Sequence, residues 1–157
     1  MKRKPITKEG YENLQKELQN LIKTDRPKII EDIAEARSHG DLKENAEYHA
    51  AKERQGWIEN RIQHINYLLA NSEVVDVSAV DSNCVRFGAT VSYEEVESGR
   101  ETTWKIVGEE EADYKAGRIS IESPVAKAIL GKEEGDEVTI KVPKGIIEVE
   151  ITSIRYQ

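Results

Sequence analysis

The residues best suited to chemistry lie in one polar stretch, 38–48, which reads Ser-His-Gly-Asp-Leu-Lys-Glu-Asn-Ala-Glu-Tyr. Asp41 and Glu44 have the spacing that places two carboxylates on one face of a helix. Mg²⁺ prefers oxygen ligands, and it usually takes one or two carboxylates together with waters and substrate phosphates. The pair therefore predicts part of a cation site, which another molecule would have to complete.

The same spacing is also typical of a capping box at the start of a helix. Asp41 would then be the N-cap and Glu44 the third helical residue, each accepting a backbone N–H. A capping carboxylate can keep one oxygen free, so the two interpretations are compatible. The sequence leaves both open.

Basic residues surround the acidic pair: Arg37, Lys43, Lys52 and Arg54. They could contact phosphates, and Tyr48 could stack on a nucleic-acid base. Ordinary solvated charge is the alternative, because Glu47 and Glu53 are interleaved with the cations. His39, His49 and His64 have no metal-ligand spacing, so we interpret them as surface or helix-face residues.

Two long helical patterns flank this stretch and must position it. The first follows Thr7, a candidate N-cap, and its apolar residues have the 3-4-3 spacing of a heptad: Tyr11, Leu14, Leu18 and Leu21. Pro27 removes one helix hydrogen bond, so we expect a kinked but continuous helix over about residues 8–37. A true break, with Asp25 as the N-cap of a second helix, is the alternative.

The second pattern predicts a helix over about residues 42–71, with a seam at Ala51, Gln55, Ile58, Ile62, Ile65 and Leu69. At 1.5 Å per residue, each helix would be about 45 Å long. Matched lengths and a short connector predict an antiparallel coiled-coil hairpin. Extended backwards, the seam passes through Glu44 and Asp41. We therefore expect these carboxylates to continue the seam at the hairpin tip.

The C-terminal half changes to a period of two. Strands are expected over 84–93, 102–107, 119–121, 137–142 and 146–151, with a bulge at Gly88. Ser123 and Pro124 are typical of an N-cap and the first position of a short helix. We predict an α+β domain, an antiparallel sheet on one helix, with domains at 1–75 and 76–157. No nucleophile–base pair, phosphate loop or zinc cluster is visible there, which indicates a binding domain.

Net charge and cysteine content restrict the partners and the compartment that are compatible with this sequence. The net charge of −7 falls entirely on residues 76–157, which argues against duplex binding and favours a basic protein partner. Cys84 is the only cysteine, so we expect a reducing, cytoplasmic setting. The sequence has no apolar run of transmembrane length and no secretory h-region after its basic start.

Three segments resemble one known family. GDLKENAEYHAAKE at 40–53 resembles the tip motif of the Gre family of bacterial transcript cleavage factors. FGATV at 87–91 and RISIESPVAKAILGKEEGDEV at 118–138 resemble that family's C-terminal domain. The resemblance covers essentially the whole chain, and it implies a coiled-coil N-terminal domain followed by a small FKBP-like domain.

The resemblance also implies a mechanism. The coiled coil would enter the secondary channel of a backtracked bacterial RNA polymerase, whose own active site would then cleave the RNA 3′ end. Asp41 and Glu44 would help to hold the second Mg²⁺ of that active site, in a two-metal hydrolysis. Alone, the factor would be monomeric, would bind no cofactor and would have no nuclease activity.

Further site residues follow from the resemblance. Four residues near the tip would contact the RNA: Arg37, Lys43, Tyr48 and Lys52. The loop formed by Glu122, Ser123 and Pro124 would dock on the polymerase. Three rivals remain: a non-cleaving regulator of the same channel, a structural adaptor and a prolyl isomerase. An isomerase would need an aromatic pocket, for which the domain offers Phe87, Trp104 and a few tyrosines.

Overall fold

The computed structural model describes residues 3–77 and 83–156, and the chain divides into two compact units. Residues 11–72 form the first unit. Residues from 73 onwards form the second, together with the N-terminal segment 3–10. That segment therefore clusters with the C-terminal unit, whereas the division expected from the sequence assigns it to the first domain.

The first helix runs without interruption over residues 8–37, as α1 (Lys8–Asn20), a π-helical turn (Leu21–Asp25) and α2 (Arg26–Arg37). Asp25 keeps right-handed helical angles and its side chain caps nothing. The continuous helix is thus confirmed, and the break at Pro27 is wrong. The carbonyl of Lys23 would normally accept the N–H that Pro27 lacks, and the π turn lies at that point.

The second helix, α3 (Ala46–Ala70), returns antiparallel to the first. The predicted seam is buried at Ile58, Ile62 and Ile65, and the first helix buries Leu14, Leu21 and Ile29. Two ion pairs join the helices, Arg26–Glu59 at 2.8 Å and Arg61–Glu17 at 2.6 Å. The hairpin prediction is confirmed. Within residues 3–77 and 83–156, no helix is long and apolar enough to cross a membrane.

The second unit contains a five-stranded sheet. Its strands are β3 (Ala89–Glu95), β4 (Glu101–Val107), β5 (Arg118–Ser120), β6 (Glu137–Val142) and β7 (Gly145–Tyr156), and their order in the sheet is β5-β4-β3-β7-β6. All neighbours are antiparallel except β4 and β5, which are parallel. The short helix α4 (Pro124–Ile129) buries Ala126 and Ile129 in the core of this domain.

The predicted strand over 84–93 is wrong in its first half. Gly88 has a φ of +89° and lies in a turn before β3, while the bulge falls between Ser92 and Tyr93. The N–H of Val85 donates instead to the carbonyl of Lys132 at 2.8 Å. An isolated antiparallel bridge between Cys84 and Glu133 therefore pairs this segment with a distant loop, in place of a continuous strand.

A two-stranded sheet was not predicted. It joins β1 (Lys4–Thr7) to β2 (Ser72–Val75). Each strand has only four residues, and the two are separated by the whole hairpin in sequence. Local periodicity gives no signal for such a pairing.

Candidate functional site: the hairpin tip

The tip loop consists of residues 38–45, between α2 and α3. The N–H of Ser38 closes the end of α2 by donating to the carbonyl of Ala34 at 3.3 Å. Gly40 then adopts a φ of +116°, which favours glycine, and the chain reverses. The second helix begins only at Ala46, four residues later than the sequence predicts.

The capping-box prediction for Asp41 and Glu44 is wrong, because Asn45 is the N-cap. Its side-chain oxygen accepts the N–H of Tyr48 at 3.0 Å. Asp41 Oδ1 accepts the N–H of Lys43 at 2.9 Å within the loop. The Glu44 carboxylate makes no hydrogen bond or ion pair with the residues that the structure describes. Neither acidic residue is helical, so the expected extension of the seam through them is also wrong.

Asp41 and Glu44 are both exposed, and they line one open cleft of about 430 Å³. Glu47 and His39 line it too, with His39 Nδ1 lying 3.3 Å from a Glu47 oxygen. The sequence interpretation missed both residues as parts of the site. The spacing of Glu47, three residues after Glu44, was the signal that could have found it.

The tip donors suit a hard cation by type, since carboxylate oxygens are preferred ligands of Mg²⁺. No group of three or more histidine, cysteine, aspartate or glutamate side chains is arranged to hold a metal ion within residues 3–77 and 83–156. Asp41 keeps one oxygen outside its bond to Lys43. The remaining ligands would have to come from waters, phosphates or a partner.

The predicted RNA-contacting residues lie near the tip. The Arg37 guanidinium carbon is 5.8 Å from the centre of the Tyr48 ring. Lys52 follows one helical turn after Tyr48, on the same helix face, and its Nζ is 3.3 Å from Gln55 Oε1. Lys43 is exposed in the tip loop. The structure thus brings Arg37 and Tyr48 together and aligns Lys52 with them.

Only two of the three residues in the predicted docking loop are exposed to solvent. The Ser123 hydroxyl is buried and accepts the N–H of Ala126 at 3.2 Å, so it is the N-cap of α4, as the sequence predicts. Glu122 and Pro124 are exposed. The Glu122 carboxylate lies 3.6 Å from Lys127 Nζ.

Three aromatic residues of the second unit contact one another: Tyr93, Trp104 and Tyr114. Trp104 Nε1 donates to the Tyr93 hydroxyl at 3.0 Å, and the Tyr114 ring centre lies 6.0 Å from that of Trp104. Burial raises the pKa of the Tyr93 hydroxyl, against the lowering effect of the bond from Trp104. The Tyr93 hydroxyl oxygen therefore satisfies the indole N–H of Trp104.

Comparison with known proteins identifies the family. The GreA/GreB models "Transcription elongation factor, N-terminal" and "Transcription elongation factor, GreA/GreB, C-term" match residues 4–74 and 80–156. The Transcription elongation factor GreA of Pelobacter propionicus is 57% identical over 153 residues, which cover 98% of this chain and 97% of its own. The chain belongs to the GreA/GreB family of transcription elongation factors.

Another GreA/GreB family member, the GreA of Alkalilimnicola ehrlichii, is 54% identical over 157 residues, covering 99% of each chain. The crystal structure of GreA factor homolog 1 from Thermus thermophilus is 26% identical, covers 98% of this chain and 99% of its own, and has a TM-score of 0.45.

The predicted family and the predicted function, stimulation of transcript cleavage, are confirmed at the level of the family. The chain is an accessory factor that acts with RNA polymerase.

Proposed function

We propose that the hairpin carries Asp41 and Glu44 through the secondary channel of a backtracked bacterial RNA polymerase. There, the two carboxylates would help to hold the second Mg²⁺ of the polymerase active site. The observation that carries this proposal is their exposure in the tip loop, outside the hydrogen bonds of both helices. α3 has 25 residues, or about 37 Å at the standard rise, which is long enough to reach into a pore.

The chemistry of the tip supports this role. Asp41 and Glu44 supply anionic oxygens, while carboxylates of the polymerase would supply the other protein ligands. When bound, the metal ion polarises the phosphate and activates the attacking water. Because the tip provides only part of one metal site, the chain has no nuclease activity and binds no cofactor when it is alone.

The RNA lies along the face that carries Arg37, Tyr48 and Lys52, with Lys43 beside it in the tip loop. Arg37 and Lys52 contact phosphates, and the Tyr48 ring stacks on a base near the 3′ end. The support is their proximity, with Arg37 5.8 Å from the Tyr48 ring and Lys52 one turn further along α3. Asp41 and Glu44 then lie in the tip loop, just before the start of α3 and next to the bond to be cleaved.

The second unit holds the factor on the polymerase as a monomer, through the exposed Glu122 and Pro124. The net charge of −7 in residues 76–157 suits a basic docking surface. Ser123 contributes by fixing the shape of this loop, since its hydroxyl is buried as the cap of α4. The factor works in the cytoplasm, where its polymerase is.

The test uses stalled, backtracked transcription complexes with labelled RNA and Mg²⁺. Adding the protein should shorten the RNA from its 3′ end, and the protein incubated with free RNA should leave it intact. A factor that binds the complexes without shortening the RNA would be the non-cleaving regulator. RNA hydrolysis without polymerase would contradict the proposal of a site completed in trans.

A further inference from the structure

Both polar atoms of the Asn45 side-chain amide form hydrogen bonds. Its oxygen accepts the N–H of Tyr48 at 3.0 Å, which is the ordinary bond of an N-cap. Its Nδ2 donates to the carbonyl of Ala36, nine residues earlier on α2, at 2.6 Å. An N-cap needs only the acceptor, so the second bond serves something other than the start of α3.

The second bond joins the two helix ends that flank the tip loop. Ala36 is buried, and its carbonyl is one of the last four of α2, which have no partner within the helix. That carbonyl also accepts the N–H of His39 at 3.2 Å. The carbonyl oxygen of Ala36 therefore accepts hydrogen bonds from His39, near the start of the tip loop, and from Asn45, at its end.

A second hydrogen bond, from His49, fixes the middle of the tip loop. His49 Nε2 lies 3.0 Å from the carbonyl oxygen of Lys43, a distance at which the ring N–H donates to it. The N–H of Lys43 donates to Asp41 Oδ1 at 2.9 Å. The backbone N–H and the carbonyl of Lys43 are therefore both hydrogen bonded, to Asp41 and His49 respectively. Glu44, whose carboxylate bonds to none of the residues that the structure describes, lies between two fixed residues, Lys43 and Asn45.

We propose that Asn45 and His49 are positioning residues for Asp41 and Glu44. Their hydrogen bonds to Ala36 and Lys43 set the loop so that both carboxylates reach one metal ion together. The inference rests on the proposed function, because the geometry matters only if these carboxylates complete a metal site. A shift of about 1 Å in a ligand can cost up to about 100-fold in rate.

The test separates the two hydrogen bonds of Asn45. Asn45→Asp and Asn45→Ser both keep an oxygen that can cap α3, and both remove the Nδ2 that donates to Ala36. The ionised aspartate has no proton to donate, and the serine hydroxyl lies one bond closer to the backbone than Nδ2. His49→Phe removes the tie to Lys43 and leaves the cap untouched. Asn60→Ser is the matched control, since Asn60 is exposed on α3 away from the tip.

The maximal rate of RNA shortening is measured in backtracked complexes at saturating factor, along with the factor concentration that gives half of it. We expect the three tip variants to lose about tenfold or more in maximal rate, with an unchanged half-maximal concentration and unchanged helicity. Higher Mg²⁺ should restore part of their rate but not that of Asp41→Asn, because a misplaced ligand still binds and a missing one does not.

Tip variants that cleave like the wild type, or that change only the half-maximal concentration, would overturn the inference. If Asn45→Ser also loses helicity, His49→Phe decides, since its cap is intact. The proposed function fails separately, if the wild type itself does not shorten the RNA.

Discussion

The carboxylate of Glu111 accepts the backbone N–H of Thr7 at 3.1 Å, although 104 positions separate the two residues. The same carboxylate contacts the Thr7 hydroxyl, which accepts the N–H of Gly10 at 3.0 Å. In an ordinary capping box, the acid would come from the third helical residue, which here is Gly10. A Cβ at Gly10 would lie 2.1 Å from a Glu111 oxygen, so the glycine leaves room for the distant acid.

Replacing Glu111 should therefore weaken the start of α1. We expect Glu111→Ala to lower the free energy of unfolding by about 1–2 kcal/mol, because it leaves the N–H groups of Thr7 and Gly108 without their acceptor. Glu109→Ala is the control, since Glu109 makes an exposed ion pair with Lys4 worth less than about 1 kcal/mol. Denaturant unfolding compares them, and equal losses would contradict this account.

Two glycines in helices should respond in opposite directions to the same substitution. Gly56 lies in the exposed interior of α3, and a Cβ there would meet nothing within 4 Å. Gly56→Ala should raise the free energy of unfolding by about 0.5–1 kcal/mol, through the higher helix propensity of alanine. Gly10→Ala should lower it, because of the clash with Glu111. Thermal unfolding of both variants measures the signs, and a destabilising Gly56→Ala would refute the first expectation.

The ion pair between Glu17 and Arg61 should give a pH-dependent contribution to stability. The hydrogen bond from Arg61 lowers the pKa of the Glu17 carboxyl below its usual 4.5, while burial acts in the opposite direction. A lowered folded-state pKa means that the stabilisation is present above about pH 4.5 and is lost as the pH falls through the folded value.

We therefore expect Glu17→Gln to reduce the free energy of unfolding at neutral pH by less than about 1 kcal/mol, since the pair is partly exposed. The difference from the wild type should shrink as the pH falls below about 4.5. Urea unfolding at a series of pH values measures it. A difference that grows on acidification would show that the sign is wrong.

In the docking loop, substitution of Ser123 should affect stability, whereas substitution of Glu122 should affect binding to polymerase. Ser123→Ala removes the buried cap of α4 and should cost about 1 kcal/mol in unfolding free energy. Glu122→Ala should leave stability within about 0.5 kcal/mol, because its pair with Lys127 is exposed. On the proposed function, Glu122→Ala weakens binding to polymerase, which a titration of core enzyme measures. Unchanged affinity would remove Glu122 from the docking surface.

Helix geometry explains why the hairpin could be predicted from the sequence. Ile58, Ile62 and Ile65 are buried because residues three and four apart share one helix face, whatever the partner is. The start of α3 could not be predicted in this way. Asp41 and Asn45 are both good N-caps, and the choice of Asn45 is accompanied by a bond to Ala36, which is a tertiary contact.

The errors in the C-terminal half have the same origin. The β1–β2 sheet and the bond between Glu111 and Thr7 join residues that are distant in sequence. The pairing of β4 with β5 joins consecutive strands, but in a parallel direction. The alternation of side chains marks a strand and its buried face but not its neighbour. The exposure of the tip carboxylates, in contrast, could be anticipated from the polar composition of residues 38–48.

The most direct test of the central claim is the maximal rate of RNA shortening in backtracked complexes at saturating factor. Asp41→Asn keeps an oxygen for the N–H of Lys43, and Glu44→Gln alters no bond of the tip loop. Glu31→Gln, at an exposed position on α2, is the control. We predict that both tip variants bind polymerase like the wild type and lose about 10- to 100-fold in rate, the range seen when groups around a metal are removed. Wild-type cleavage by both tip variants would contradict the claim that these carboxylates complete the polymerase's metal site.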